Sequence, residues 1–471
     1  MSIFHAPQVA TKNLKFNSTM SKPRKVRVST NLLPLMGFEE GMRIAVKSRK
    51  PLDGFEVVPF LDGGHKVHSR TYKAGKRINN PLETLVEFGS QSMINRQFPK
   101  NCERFHLEMK NQRMIFRPLV NRSANILHRF KKANPFNTFV GLTGGVDIHC
   151  LESMGFNVDV ALEFRPPEKR DRDDKTEVNL MNCLRNSTPS VVLNEDLYHC
   201  NLDRLSDILA DRPPIGVAHY SIQCDDFSTL KNANDKARDV DDLSSTIDQF
   251  IPMLDQIKVI NPAVVIIENV IGFGRSMAGK ICETQLRRMG YHVTAMEMDA
   301  RDYGGVQSRK RYYLVASVAP NFEAPEMSPR NEKLIWDRIE PLLGECRDIT
   351  DTAFIKNRAT SNRAAPSITP ESTQCQTIIK SNSRGIKDGA YLEVGGRMLM
   401  PSDSVIKRLM GIPDDFHTDW MAGEQAIEVL GQSIDYAMHE SLMSSVKAHI
   451  DLNFGESTVV NFEKKNHSQT S

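Results

Sequence analysis

No stretch of the 471 residues reaches the roughly 18 consecutive apolar residues that a membrane-spanning helix needs, so no membrane span is expected. The opening stretch MSIFHAPQVATKNLKF has neither the apolar centre nor the small-residue cleavage site of a secretory signal. Cysteine is sparse at eight, and no two stand as C-x-x-C, which fits neither a disulfide framework nor a zinc centre. A cytoplasmic protein with reduced thiols and no metal is the expectation. Internal repeats are also lacking. What remains, 40% hydrophobic and 25% charged, is ordinary globular composition, and the length suits two or three domains.

The formal net charge of +3 conceals an asymmetry. Residues 1–132 hold 25 Lys and Arg against 9 Asp and Glu, a balance of +16, and the remainder stands at −13. A positive field confined to one region suits a polyanion, although a solvated basic extension has the same composition. Residues 1–25 are polar and basic and read as flexible. From Lys25 the apolar runs VRVSTNLLPLMGF, MRIAVKS and FEVVPFL, broken by Gly, Pro and charge, read as strands. The stretch Pro23–Ser48 resembles the small swapped-hairpin barrels of AbrB- and SymE-like proteins, which implies a small β-barrel DNA-binding module. A basic helix is expected near 120–132.

At Asn137 the pattern changes. Strand-like NTFVGL, VDVALEF, IGVAHYS, AVVIIENV and RYYLVASV alternate with helical segments such as VDIHCLESMGF and LSSTIDQFIPMLDQIKVI. That alternation predicts an α/β fold with a mostly parallel sheet covered on both faces. Residues 319–397 are irregular and polar and read as a separate module or long insertion. Helical character returns within 398–452, and 453–471 read as a disordered tail.

Four local signals carry chemistry. Glycines after NTFVGL open a helix, a geometry that brings backbone close to a ligand, and Glu163 ends the next strand, where a carboxylate can accept ribose hydroxyls. Plain turns and surface carboxylates look the same locally. Cys224 in SIQCDDFSTLKN stands between a strand and an expected helix N-terminus, where a thiolate is favoured, although most lone cysteines are inert. Glu268 and Asn269 end the apolar strand VVIIENV. Gln307, Arg309 and Arg311 alternate on one face as a strand begins, as an anion or base site or a salt-bridged strand edge would.

In that order, Phe-x-Gly with Gly-Gly, a strand-end Glu, Cys-x-x-Phe-Ser, Glu-Asn-Val and Gln-x-Arg-x-Arg resemble the DNA cytosine-5 methyltransferase family. RLMGIPDDF and LGQSIDYAM continue the resemblance, which covers about residues 137–318 and 397–450. It implies a Rossmann-like methyltransferase fold with a target-recognition region at 319–397. It also implies S-adenosylmethionine as methyl donor, double-stranded DNA as partner, and a monomer. Cofactor residues would be Phe139, Gly141, Gly144, Glu163 for the ribose, Asp196 for the adenine and Ser433. Cys224 would be the nucleophile, Glu268 the acid on the base and Asn269 the residue ordering its loop. Arg309 and Arg311 would steady the flipped cytosine and the cysteine loop.

Two departures accompany the likeness. The family's Pro-Cys-Gln-x-Phe-Ser reads Gln223-Cys224-Asp225-Asp226-Phe227-Ser228 here, which removes a fixed φ and adds two carboxylates that disfavour a thiolate unless they pair with Lys231 or Arg309. The FVGLTGG loop is also longer than the family's. A tRNA-directed relative would show Pro-Pro-Cys and Cys-Phe-Thr, and neither occurs. A degenerate, inactive DNA-binding relative is the alternative from another class.

Overall fold

Backbone pairing turns the alternating pattern after Asn137 into a seven-stranded sheet. The structure, a computed structural model, describes residues 5–19, 22–71, 82–100, 102–119, 121–130, 133–167, 171–227, 239–241, 244–359 and 365–454. The chain divides into two units, Met1–Asn125 and Ile126–Ser471.

In the second unit the strands are β1 (Asn137–Gly141), β2 (Asn157–Leu162), β3 (Val191–Leu193), β4 (Val217–Ser221), β5 (Val264–Asn269), β6 (His292–Asp299) and β7 (Lys310–Ser317). Their order is β3-β2-β1-β4-β5-β7-β6. β1 to β5 run parallel to one another, and β7 is antiparallel to both its neighbours. Val264, Val265, Ile266 and Ile267 are all fully buried, as a strand covered on both faces requires. The chain moves outward from β1 to β3 on one side and from β4 to β5 on the other. The crevice at the carboxyl ends of β1 and β4 is therefore the topological switch point, where ligands of such sheets bind.

The helices include α1 (Val146–Ser153), α2 (Val178–Asn186), α3 (Leu202–Ala210), α4 (Phe250–Ile260), α5 (Met277–Arg288), α6 (Asp403–Met410), α7 (Gly423–Gln432) and α8 (Tyr436–Phe454). The helical pattern over 243–260 overstates its start, because 244–249 are turn and extended backbone. Nor is 319–397 a separate module. Its Ile335, Trp336, Ile368 and Ile378 share one buried cluster with Val146 and Cys150 of α1 and with Val405 and Leu409 of α6. It contributes a small antiparallel sheet of Arg347–Asp348, Arg397–Met400 and Leu392–Val394. The last helix runs to Phe454, past the expected start of the tail, and 455–471 lie outside the described residues.

The first unit corrects three expectations. Residues 1–25 contain strands Ala10–Lys15 and Asn17–Thr19 and the start of Lys22–Ser29, because Ala10–Lys15 pairs along its length with Arg104–Met109. LLPL within the run read as a strand is one helical turn, Leu32–Leu35. Pro23–Ser48 is not a self-contained barrel. Its strand Lys22–Ser29 joins a four-stranded sheet, and Arg43–Ser48 joins a separate six-stranded one. The phenylalanines of both sheets meet in one core, with Phe55 stacked on Phe116 at 4.5 Å and edge-on to Phe88 at 5.2 Å. The expected basic helix is present as Arg122–Arg129.

Candidate active site

The first wall of the crevice is the turn after β1. Gly141 has no room for a Cβ, which would stand 2.8 Å from the Tyr220 ring, and Gly144 and Gly145 take φ of +75° and +102°. Leu142 also adopts positive φ, at +61°, and marks the extra length of this loop. Phe139 lies fully buried in β1, its ring 5.5 Å from Tyr220, so it supports the loop from beneath.

Glu163, just past β2, is fully buried. Its Oε1 accepts hydrogen bonds from Thr143 N at 2.7 Å, Thr143 Oγ1 at 3.0 Å and Gly144 N at 3.1 Å. Burial nevertheless raises its pKa to about 7, against those donors. Oε2 makes no hydrogen bond, with the Cys183 thiol beside the carboxylate. An unsatisfied buried carboxylate oxygen beside a glycine turn fits the ribose hydroxyls of S-adenosylmethionine.

Asp196 caps the short helical turn Leu197–His199 through Tyr198 N at 3.2 Å, and its other oxygen lies 3.1 Å from His199 Nδ1. Ser433 ends α7, buried, and its hydroxyl donates to the Leu430 carbonyl at 2.7 Å.

The loop bearing Cys224 follows β4. Ser221 is the register partner of Glu268 on β5, so the loop that starts at Ser221 leaves the sheet beside the end of β5. Asn269 Nδ2 donates to the Ile222 carbonyl at 3.0 Å, while its Oδ1 accepts from Val270 N at 2.8 Å. This buried amide thereby ties the two strand ends together. Phe227 packs edge-on against Phe273 at 5.1 Å, and a Cβ on Gly272 would fall 2.1 Å from the Phe227 carbonyl oxygen, so the loop rests directly on backbone. Arg311 Nε meets Glu268 Oε1 at 3.0 Å, both side chains mostly buried. The Cys224 thiol lies within the field of both, and of Asp225 and Lys380.

Burial dominates that field and raises the Cys224 pKa. Arg311 and Lys380 oppose the rise, and Asp225 and Glu268 add to it. The free thiol is the resting form. The helix N-terminus expected beside it falls on Ser228 and residues 229–238, which lie outside the described residues, as does Lys231.

The two extra carboxylates have different fates. Asp225 pairs with Lys380 at 3.4 Å, a partner not anticipated from sequence because it lies 155 residues away. Asp226 turns inward and accepts from Ser245 Oγ at 2.9 Å and from Thr246 N at 2.6 Å. The missing proline is also compensated. Gln223 N, a donor that proline lacks, donates to Oε1 of the buried Gln249 at 2.7 Å. A glutamine at the foot of α4 carries no sequence signal for this role.

Arg309 is the clearest departure from expectation. It is 1% exposed and lies in the field of Arg311 and Glu268, but its guanidinium donates to backbone carbonyls. Its Nη1 donates to the Ile378 carbonyl at 2.8 Å, and its Nη2 to the carbonyls of Gly431, Gln432 and Ser433. It therefore neutralises the carboxyl end of α7, whose last carbonyls have no partner within the helix, and fixes Ser433. Gln307 also turns inward, donating to Asp435 Oδ2 at 2.9 Å. Of the three alternating residues only Arg311 reaches the Cys224 site.

Residues 215–393 match the family model of C-5 cytosine-specific DNA methylases. The Type II methyltransferase M.NlaX of Neisseria lactamica is 26% identical over 204 residues, 40% of this chain and 63% of that protein, so the chain spans less than two thirds of this relative. Among solved structures, the Dnmt2 methyltransferase of S. pombe superposes with a TM-score of 0.51 at 16% identity, covering 66% of this chain and 97% of that one. The Entamoeba histolytica methyltransferase EhMeth gives 0.52 at 16% identity, covering 67% and 98%. At these identities the likeness is one of fold, and the fold is that of a Rossmann-like methyltransferase.

Proposed function

We propose that this chain, whose residues 215–393 match the C-5 cytosine-specific DNA methylase model, takes S-adenosylmethionine as methyl donor and methylates cytosine in double-stranded DNA through a covalent Cys224 adduct. One observation carries the reading: a cysteine just past β4 shares its field with the Glu268–Arg311 pair at the ends of β5 and β7.

Carbon 5 of cytosine is a weak nucleophile until carbon 6 is attacked. As the Cys224 sulfur bonds to carbon 6, the thiol proton passes by way of the Glu268 carboxylate to ring nitrogen 3, and Arg311 holds that carboxylate in place. S-adenosylmethionine, held by the glycine turn, Glu163 and Ser433, supplies an electrophilic methyl group to carbon 5. Loss of the carbon-5 proton to a base then breaks the sulfur–carbon bond and returns Cys224 and Glu268 to their starting forms. The base must leave the stack for this, at a cost of a few kcal/mol.

The basic first unit supplies a second element of the proposal. Lys15 is the register partner of Arg104, and Arg117 that of His106, on the outward face of the six-stranded sheet. Lys15, Arg104 and Arg117 are exposed. This face suits phosphates, and replacing all three with Glu is expected to flatten the salt dependence of DNA binding, by about 0.9 in slope for each phosphate that is no longer neutralised.

The decisive experiment uses duplex DNA carrying 5-fluorocytosine, because fluorine cannot leave as a proton. Incubation with S-adenosylmethionine is expected to give a denaturation-resistant complex that Cys224→Ser does not form. Bisulfite sequencing of DNA from expressing cells identifies the methylated site. Methylation by Cys224→Ser at the wild-type rate overturns the mechanism, and methyl transfer to tRNA but not to DNA overturns the substrate.

A further inference from the structure

Asp147, His219 and His439 come from three separated parts of the chain and meet in the interior of the second unit. Asp147 lies in the first turn of α1, His219 in the middle of β4 and His439 in the first turn of α8. Their exposures are 1%, 0% and 0%. One ligand-type atom from each lies within 4.8 Å of the other two. His219 Nδ1 stands 3.6 Å from Asp147 Oδ2, too far for a hydrogen bond, and the two imidazole rings are 5.0 Å apart.

Bonding is what sets the cluster apart. Asp147 Oδ1 and both ring nitrogens of each histidine make no hydrogen bond at all. The only partner of the three side chains' polar atoms among the described residues is the Ser221 hydroxyl, which donates to Asp147 Oδ2 at 3.2 Å. Native interiors rarely leave five such atoms unsatisfied together, and a bound ion or water is the usual explanation. Burial holds both imidazoles neutral, His439 down at about 3, so their ring lone pairs are free for a ligand. Burial first, then Glu268 and Glu163, raise the Asp147 pKa against Arg309, so a cation entering the cluster takes the place of the Asp147 proton.

We propose that Asp147, His219 and His439 bind one divalent transition-metal ion of the zinc class. Two imidazoles and one carboxylate are the donors such an ion prefers. With bonds of about 2.0–2.1 Å, tetrahedral ligand atoms lie about 3.4 Å apart. The His219–Asp147 pair, at 3.6 Å, is already close to that spacing, and the three ligand atoms all lie within 4.8 Å of one another. A water or the Tyr313 hydroxyl takes the fourth position. That hydroxyl is also buried without a partner, its ring 6.1 Å from His439. The ion would join α1, β4 and α8 just beneath Ser221, from which the Cys224 loop departs. Its role is structural, and the assignment does not depend on which nucleic acid the enzyme modifies. The ligands lie 72 and 220 residues apart in sequence with no C-x-x-C or paired-histidine spacing, so sequence inspection finds no metal.

The test uses the full chain, stripped with a chelator and titrated with zinc chloride by calorimetry and with cobalt chloride by absorption. Uptake of one ion per chain is expected, with the visible bands of four-coordinate cobalt and no thiolate-to-cobalt charge-transfer band. Zinc should raise the melting temperature of the wild type. Asp147→Asn and His439→Leu should each weaken uptake by about 10–100-fold or more. No uptake by the wild type means that buried water bridges these atoms, and the proposal fails. A thiolate band, or undiminished uptake by folded variants, also overturns it. The wild-type spectrum decides by itself if a variant does not fold.

Discussion

Replacing Gln249 with Leu tests how the loop bearing Cys224, the proposed nucleophile, is held without the proline of the family motif. The Gln249 side chain is 3% exposed, and its Oε1 is the acceptor for Gln223 N at 2.7 Å. Leucine fills a similar volume but accepts nothing. A net hydrogen bond is worth about 1 kcal/mol, and a buried N–H left without a partner costs about 1–3 kcal/mol. Gln223 is half-buried, so water recovers part of that. A destabilisation of the ordered loop by about 1–2 kcal/mol is expected, or about 5- to 30-fold in kcat/KM at 1.4 kcal/mol per decade. Iodoacetamide should alkylate Cys224 faster as the loop opens.

The double variant Gln223→Pro with Gln249→Leu removes donor and acceptor together and restores the fixed φ. It should recover most of the activity lost by Gln249→Leu, giving a coupling energy of about 1–2 kcal/mol in a double-mutant cycle. Tritiated methyl transfer into unmethylated DNA measures it. If Gln249→Leu stays within twofold of wild type, or the double variant is no better than the single one, the hydrogen bond does not substitute for proline.

Three further outcomes follow from the site. Because burial raises the Cys224 pKa, the thiolate fraction below that pKa grows about tenfold per pH unit, so turnover should rise with pH through 7–9; Asp225→Gln, which removes a charge that raises it, should shift the profile to lower pH, and an unshifted alkylation profile refutes this. Burial raises the Glu163 pKa to about 7, and the ribose-binding role proposed for it needs the carboxylate form. S-adenosylmethionine affinity, read by calorimetry, should be constant above pH 7 and fall by up to about tenfold per unit below it, whereas a flat profile from pH 8 to 6 assigns the ribose elsewhere. Arg309→Lys keeps the charge but not the planar array of donors, and should cost about 2 kcal/mol in denaturant unfolding, with weaker cofactor binding through Ser433; equal stability contradicts its role at the end of α7.

Five of the seven strands of the second unit are legible as short apolar runs; β3, only three residues long, and β6, with polar and partly exposed positions at the sheet edge, are not. Cys224, Glu268, Asn269 and Glu163 stand out in the sequence on that logic, each at or just past a strand end. Arg309 and Arg311 look alike in sequence because both alternate on one face. They differ only in what lies opposite: the carbonyls at 431–433 for one and Glu268 for the other. The first 25 residues mislead for a related reason. Polar and basic side chains form a strand when a partner such as Arg104–Lys110 covers only one face, and the partner is far away in the chain.

The same distance explains how a variant motif can keep its chemistry. Proline before the nucleophile does two things: it fixes φ and it removes a donor that would need an acceptor. Here the donor is present, and Gln249 answers it from the foot of α4. The charge that Asp225 brings toward the thiol is met by Lys380, from the region between β7 and α6. Asp226 is removed from the thiol's field by the 245–246 turn. Each compensation comes from a different segment, none adjacent to Cys224, so the motif alone reads as damaged while the folded loop is anchored at Gln223, Ile222, Asp226 and Phe227. What no neighbour offsets is burial itself, which keeps Cys224 a thiol at rest.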